Sequence, residues 1–514
     1  MNGENNDTAR PAGLRTNSGY NWFDTLMVWC AVLFGYLMIR LLPLHSKPSG
    51  EALLLLALYV VAFIWFRKSG VKPTVRSLVF ASAGIAVLPA FVISSDDGLA
   101  FLLFFAELLV WLYFVYTAPG NAVEADIGRF FWLDAVKAVI AMPLSSLFAL
   151  PCAAVGNTRG MGKKIIVTLL WILLGLVMAI IPALIVIELL SFDANFREII
   201  DKICGLDIEW LTERLVSLIF GLPLAFWGFA AFISSRQRKL SDKMTGEQCG
   251  RAAEAVRVFP APLIYATMTP VLILYVIFFV SQWGYFTAAF YGVLPEGFVY
   301  SSYARQGFFQ LCSVASLNAL ALIFVSIFVR RESRAERVLL KVYSVITSLF
   351  TLVLIATALS KMALYISAYG LTLKRVYASW FIIFMAAGFI YAIIANLVKR
   401  FRFNFALLLT GALMFGAIAY ANVSGLIADY NADAYLDGRL GSVDIYEISR
   451  MGDSGIPALV RLAGEAEDSK VADEAVRSIN EYLELNSDRK DNILTFSLPR
   501  ARAEALLERK GYID

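Results

Sequence analysis

The chain has 514 residues, 59% of them hydrophobic and only 17% charged, with a mean hydropathy of +0.68. Soluble domains run at about 45–50% apolar and about 25% charged, so this composition excludes an ordinary soluble protein and indicates an integral membrane protein. The net charge of +4 comes from short loops between apolar runs, which excludes a nucleic-acid-binding face.

Residues 1–20 are polar and lack the apolar core and small-residue cleavage site of a signal peptide. They are expected to form a flexible cytoplasmic N-terminus ahead of a retained first span. A helix crosses the hydrocarbon with about 20 apolar residues. Such runs occur at 22–42, 51–66, 77–94, 99–117, 164–190, 214–234, 262–282, 306–329, 342–366, 376–398 and 404–422, predicting about eleven spans. The stretch "FFWLDAVKAVIAMPLSSLFALPCAAV" (130–155) is apolar but carries Asp134, Lys137, Pro143 and Pro151. A re-entrant or interfacial helix is expected there, with a broken span as the alternative.

Basic segments at 67–76, 157–164, 236–243, 330–341 and 399–402 alternate with "SSDDG" (94–98), the acidic stretch 192–213 and the aromatic loop 284–304. Lys and Arg crowd cytoplasmic loops. The alternation therefore predicts the N-terminus inside and everything after residue 422 outside. From 423 to 514 the material changes: apolar residues recur at helical spacing, acids outnumber bases, and Pro457 suits a first helical turn. A small extracytoplasmic helical domain is expected, either a cap on the bundle or a surface for a protein partner. Segments 442–463 and 470–485 resemble a single HEAT-like helix pair, too little for a solenoid. The fold class is all-α, a polytopic bundle spanning 21–422 with this C-terminal addition.

His45, in the loop "PLHSKPSG", is the only histidine, which removes histidine-dependent zinc motifs and Ser-His-Asp triads. "GNTRGMGKK" (156–164) misses the phosphate-loop spacing and reads as a basic loop. Five scattered cysteines without C-x-x-C spacing give neither a disulfide framework nor a thiolate metal site. No catalytic residue, metal ligand or cofactor is assigned.

Ionisable groups inside spans are costly and tend to mark function. Here they are Asp24, Arg40, Glu107, Glu188, Arg305 and Lys361, all but Asp24 in the outer half by the predicted topology. Glu107 is eight residues into its span, roughly 12 Å deep. Lys361, Tyr365 and Tyr369 share one helical face, Gly370 suits a helix C-terminus, and Arg375 opens the next span. Arg305, Gln306 and Gln310, with Tyr303 one half-turn before, form the facing wall. A cationic, tyrosine-lined outer recess follows, suited to a phosphate, carboxylate or lipid headgroup. The structural alternative pairs Lys361 with Glu107 and lets Arg305 and Arg375 snorkel to headgroups.

"YSSYARQGFFQL" and "KMALYISAYGLTLKRVYASWF", followed by "ANVSGLIADYNADAYLDGRL" and "PALVRL", resemble a bacterial polytopic inner-membrane family of unknown function, of the domain of unknown function 4153/4173 type. The resemblance covers about residues 260–460 and marks Tyr303, Arg305, Gln306, Gly307, Lys361, Tyr365, Tyr369, Gly370, Leu371, Thr372 and Arg375. It implies a membrane topology and a pair of motifs, and no reaction. The expected protein is a multi-pass component of the bacterial cytoplasmic membrane acting in binding, sensing or envelope assembly, with membrane lipids and an anionic ligand as partners and no nucleic acid. The alternatives are a transporter or channel for an anionic or amphiphilic solute, and an enzyme on a lipid-linked substrate.

Overall fold

The computed structural model describes residues 20–42, 47–124, 126–155, 208–241, 245–281, 300–487 and 492–513, with single positions between 175 and 190. The expected span at 164–190, Glu188, His45 and the 156–164 loop lie outside the described residues. Among the described residues every regular element is a helix, and ten are long and apolar enough to cross a membrane. These ten coincide with ten of the eleven apolar runs.

The first group of helices comprises α1 (Trp22–Arg40), α2 (Pro48–Lys68), α3 (Val75–Val87) with its continuation α4 (Ala90–Ile93), and α5 (Asp97–Thr117). Local chemistry fixes their starts. Asn21 and Asp24 form a reciprocal capping box on α1, with hydrogen bonds of 2.8 and 3.1 Å. Pro48 occupies the first turn of α2. Pro89, which has no N–H to continue the ladder, separates α3 from α4.

The 130–155 stretch forms α6 (Phe131–Val136), a π-helical turn (Lys137–Ala141), α7 (Met142–Ser145) and α8 (Ala149–Val155). Near its start the Gly128 carbonyl accepts a hydrogen bond from Asn404 (2.8 Å). Near its finish the Ala153 carbonyl accepts one from Thr25, in the first turn of α1 (2.9 Å). Midway, the Val139 carbonyl in the π-turn is held by the Trp227 indole N–H (3.0 Å). The segment begins and ends at one end of the bundle, and its chain turns at Ser146–Phe148, between α7 and α8.

Helix α9 (Ile208–Arg236), whose side chains are described from Glu213 on, crosses α1 at Gly35 and Gly221. A Cβ on Gly221 would stand 2.6 Å from the Gly35 carbonyl carbon, so the two backbones touch. Small residues permit this close packing, since lipid supplies no hydrophobic drive between helices.

A short amphipathic helix, α10 (Gly246–Ala255), leads to a second group: α11 (Ala261–Ser281), α12 (Tyr300–Phe328), α13 (Arg334–Tyr369) and α14 (Leu373–Leu397). Their shared core holds Phe308, Leu311, Leu354, Ile355, Met362, Ile382 and Phe389. Helix α13 has 36 residues, about 54 Å at 1.5 Å per residue, and so outruns the roughly 30 Å hydrocarbon layer. Helix α15 (Phe403–Tyr420) bridges the two groups, packing on α14 and α4.

The chain ends in α16 (Val423–Leu436), α17 (Ile445–Ser449), α18 (Ile456–Glu465), α19 (Ser469–Asn486) and α20 (Leu498–Arg509). Their apolar faces, with Ile448, Leu459, Leu462, Ile479 and Leu507, run into the same core as α1, α2 and α5. Polar links reinforce this seating. Ser49 donates to the Ile493 carbonyl (2.5 Å), Gly50 N–H to the Leu494 carbonyl (3.1 Å), and the hydroxyls of Ser95 and Ser454 pair at 2.5 Å.

The two ends of the bundle differ in character. One gathers basic loops, joined by Arg402–Asp126 (2.7 Å), Arg238 to the Gly120 carbonyl (3.1 Å) and Lys341 to the Asn396 carbonyl (3.1 Å). The other carries the C-terminal helices. We call them the basic end and the capped end.

Candidate functional site

The second group of helices encloses a cavity of about 520 Å³ toward the capped end. Leu274, Tyr275 and Phe278 of α11 line one side, Gly307, Gln310 and Val314 of α12 a second, and Leu354, Thr357 and Lys361 of α13 a third. Lys361 lies eight residues before the end of α13, about 12 Å below it. Its ammonium presses against Gly307: a Cβ there would come within 2.8 Å of Nζ. Leu274 and Phe278 are 61% and 38% exposed, so the cavity borders the apolar outer surface of the bundle. It combines one cation, one amide and a mostly apolar wall.

Beyond Lys361 the face predicted from helical spacing is present. The rings of Tyr365 and Tyr369 meet edge to face at 5.3 Å, and the Arg375 guanidinium lies 4.0 Å above the Tyr365 ring. Arg375 also donates to the Tyr369 carbonyl (3.0 Å) and to the Gly370 carbonyl, groups that α13 leaves unsatisfied at its C-terminus. Gly370 adopts φ +73°, a conformation that L side chains rarely take. Thr372 then caps α14 by accepting from Arg375 N–H (3.4 Å). Asn431 of α16 accepts from Leu371 N–H (2.7 Å) and donates to the Leu371 carbonyl (2.9 Å). The Y-G-L-T-x-x-R block is thus a tightly bonded turn seated on the C-terminal helices. Arg375 is occupied there in holding it.

Glu107 does not line the cavity. It is buried in the first group, accepts a hydrogen bond from Tyr59 (3.1 Å), and sits against Gly84 of α3. Gln310 and Lys361 are therefore brought together, Tyr365, Tyr369 and Arg375 stack above them, and Glu107 belongs elsewhere. The side chains of Tyr303, Arg305 and Gln306 lie outside the described residues, although their backbone continues α12.

Other ionisable groups of the spans have structural partners. Asp24 receives both terminal nitrogens of Arg236, at 2.7 and 3.0 Å, and the Trp65 indole N–H at 3.1 Å. Arg40 pairs with Glu213 at 2.5 Å. Asp134 accepts from Tyr116 (2.7 Å) and from Val123 N–H (3.1 Å). Among the described residues no group of three or more His, Cys, Asp or Glu is placed to hold a metal ion.

Sequence reasoning by charge alone missed Tyr275, Asn318 and Thr351. Tyr275 donates to the Asn318 amide oxygen (2.7 Å), and the Asn318 amide nitrogen donates to Thr351 (2.9 Å), tying α11, α12 and α13 together below the cavity. The available signal was an asparagine in an apolar run facing a Ser/Thr-rich helix.

Residues 79–462 match a protein family described as "Domain of unknown function (DUF4153)". The chain belongs to this family. The DUF4153 match takes in the cavity, the Gly370–Arg375 turn and the α16 asparagine that clamps it, and stops within α18. No curated protein and no solved structure matches the chain. Its membership, ten apolar helices and helical composition establish a multi-pass integral membrane protein.

Proposed function

We propose that this protein binds an amphiphile with an anionic headgroup in the Lys361 cavity. The observation that supports this is that Lys361 and Gln310 line one cavity whose other walls, apart from Tyr275 and Thr357, are apolar and border the exposed apolar surface of Leu274 and Phe278. An ammonium and an amide suit a phosphate or carboxylate oxygen. The apolar wall suits an acyl or prenyl chain, which reaches it without crossing water.

In the same reading the basic end faces the cytoplasm of a bacterium, following the positive-inside rule, and the C-terminal helices cover the outer end of the bundle. The protein then acts as a binding or sensing component of the cytoplasmic membrane, presenting an occupied or empty cavity beneath that cap.

The test uses the detergent-solubilised full chain and fluorescent phosphatidylglycerol, with phosphatidylcholine as the zwitterionic control. Preferential binding of the anionic probe is expected, weakened about tenfold by Lys361→Met, equal to about 1.4 kcal/mol. Gln310→Leu is expected to weaken it less. Equal binding of both lipids, or an unchanged affinity in a folded Lys361→Met, refutes the proposal.

A further inference from the structure

From Thr357 in the cavity wall downward, α13 presents Thr351, Ser348, Thr347, Ser344 and Tyr343, in a helix otherwise rich in Leu, Val and Ile. These groups are deep inside: Ser348 and Thr351 are fully buried, and Thr347, Thr357 and Asn318 nearly so. From Lys361 to Tyr343 is eighteen residues, about 27 Å of helix, close to the thickness of the hydrocarbon layer. The column has polar neighbours along its length. Tyr275, which also lines the cavity, reaches Thr351 through Asn318. Lower down, Thr269 of α11 pairs with Tyr343 (2.6 Å), and Asn396 of α14 donates to Ser344 (3.0 Å).

Two features exceed what helix packing needs. The hydroxyls of Thr347 and Ser348 are buried with no hydrogen-bond partner among the described residues, a costly arrangement at membrane depth. Helix α11, which covers one side of the column, is thinly attached. Only 6% of its span is buried, and its described hydrogen bonds to the neighbouring helices are Thr269 to Tyr343, Tyr275 to Asn318 and the Tyr265 hydroxyl to the Glu336 carbonyl (3.3 Å). A shift of α11 would release Tyr343 from Thr269 and Asn318 from Tyr275.

We infer that the α11–α13 column is a transbilayer path for the headgroup of an anionic amphiphile, with Lys361 at one end and the arginines of the basic end at the other. This rests on the binding function proposed for the cavity and adds movement to it. The tails remain in the bilayer while the headgroup passes along Thr357, Thr351, Asn318, Thr347 and Ser348. The movement is passive equilibration between leaflets and consumes no second substrate.

The experiment places the full chain in phosphatidylcholine vesicles containing NBD-phosphatidylglycerol and follows bleaching by dithionite, which reaches only the outer leaflet. The wild type is expected to carry bleaching past the outer-leaflet fraction. Thr351→Val and Asn318→Leu are expected to slow that phase about tenfold, or about 1.4 kcal/mol at the barrier, while binding of the same probe in detergent stays near wild type. Ser348→Ala, the mildest change, serves if Asn318→Leu fails to fold, and is also expected to slow the movement. Lys361→Met is expected to weaken binding and slow movement together. Wild-type vesicles that bleach no further than protein-free ones, with binding intact, overturn the path and leave the cavity proposal standing. Folded Thr351→Val and Ser348→Ala that bleach like wild type also overturn it, and reduce the column to hydrogen bonds between helices. Absence of binding by the wild type overturns both.

Discussion

The carboxamide of Asn431 holds both backbone groups of Leu371, its oxygen 2.7 Å from the amide nitrogen and its nitrogen 2.9 Å from the carbonyl oxygen. Sixty residues apart in sequence, the two fasten the α13–α14 turn to the first of the C-terminal helices.

Asn431→Leu leaves a backbone donor and acceptor without their partner and is expected to cost about 1–3 kcal/mol. Gly370→Ala is expected to cost a similar amount, because its φ of +73° is retained and its Cβ would stand 2.5 Å from the Asn431 amide oxygen. Thermal unfolding in detergent checks both. The double variant should lose less than the sum, since each change disrupts the same contact.

Arg375 and Lys361 were expected to serve one recess, and the geometry assigns them different work. Arg375→Gln removes the ring stacking on Tyr365 and the bonds to the Tyr369 and Gly370 carbonyls. A lower melting temperature is expected, from a loss of about 1–2 kcal/mol. Binding of fluorescent phosphatidylglycerol per folded molecule should change little. Lys361→Met should show the opposite pattern, with binding weakened about tenfold and melting little changed. Identical profiles for the two variants would merge the sites again.

The crossing of α1 and α9 provides a packing test. Gly221→Leu drives a branched side chain into the Gly35 backbone and is expected to prevent assembly of the first group, read as loss of monodisperse protein on size exclusion. Gly416→Leu on α15, where nothing lies within 4 Å of the added carbon, is expected to leave the elution unchanged.

For the buried Asp24–Arg236 pair, Asp24→Asn should destabilise by about 3–5 kcal/mol, because the guanidinium keeps its burial without its charge partner. Adding Arg236→Met should restore a large part of that loss. The comparison is made by melting temperature of single and double variants; a double variant no better than Asp24→Asn would contradict this account.

Much of the architecture was legible because lipid imposes simple demands. Ten apolar runs became ten long helices, and the prolines and charges of 130–155 marked a stretch broken into short helices, with a turn at Ser146–Phe148. The site was read less completely. Helical spacing placed Lys361, Tyr365 and Tyr369 on one face, since that relation is local. Glu107 was drawn toward Lys361 by charge complementarity, but which helix faces which is set by side-chain shape, and Gly84 with Tyr59 had already made room for its carboxyl group. Arg375 looked like a binding group because its type suits anions; the carbonyls at the end of α13 are a nearer acceptor. Tyr275, Asn318 and Thr351 carry no charge, and only their convergence from three helices makes them conspicuous.

The bonds from Ser49 to Ile493 and from Gly50 to Leu494 join residues more than 440 positions apart. On a ribosome, the start of α2 is made long before its partner. The first group therefore completes its capped end only after the whole second group has been inserted and the C-terminal helices have folded back. A chain stopped after α15 would hold every described span and still lack the segment that finishes α2.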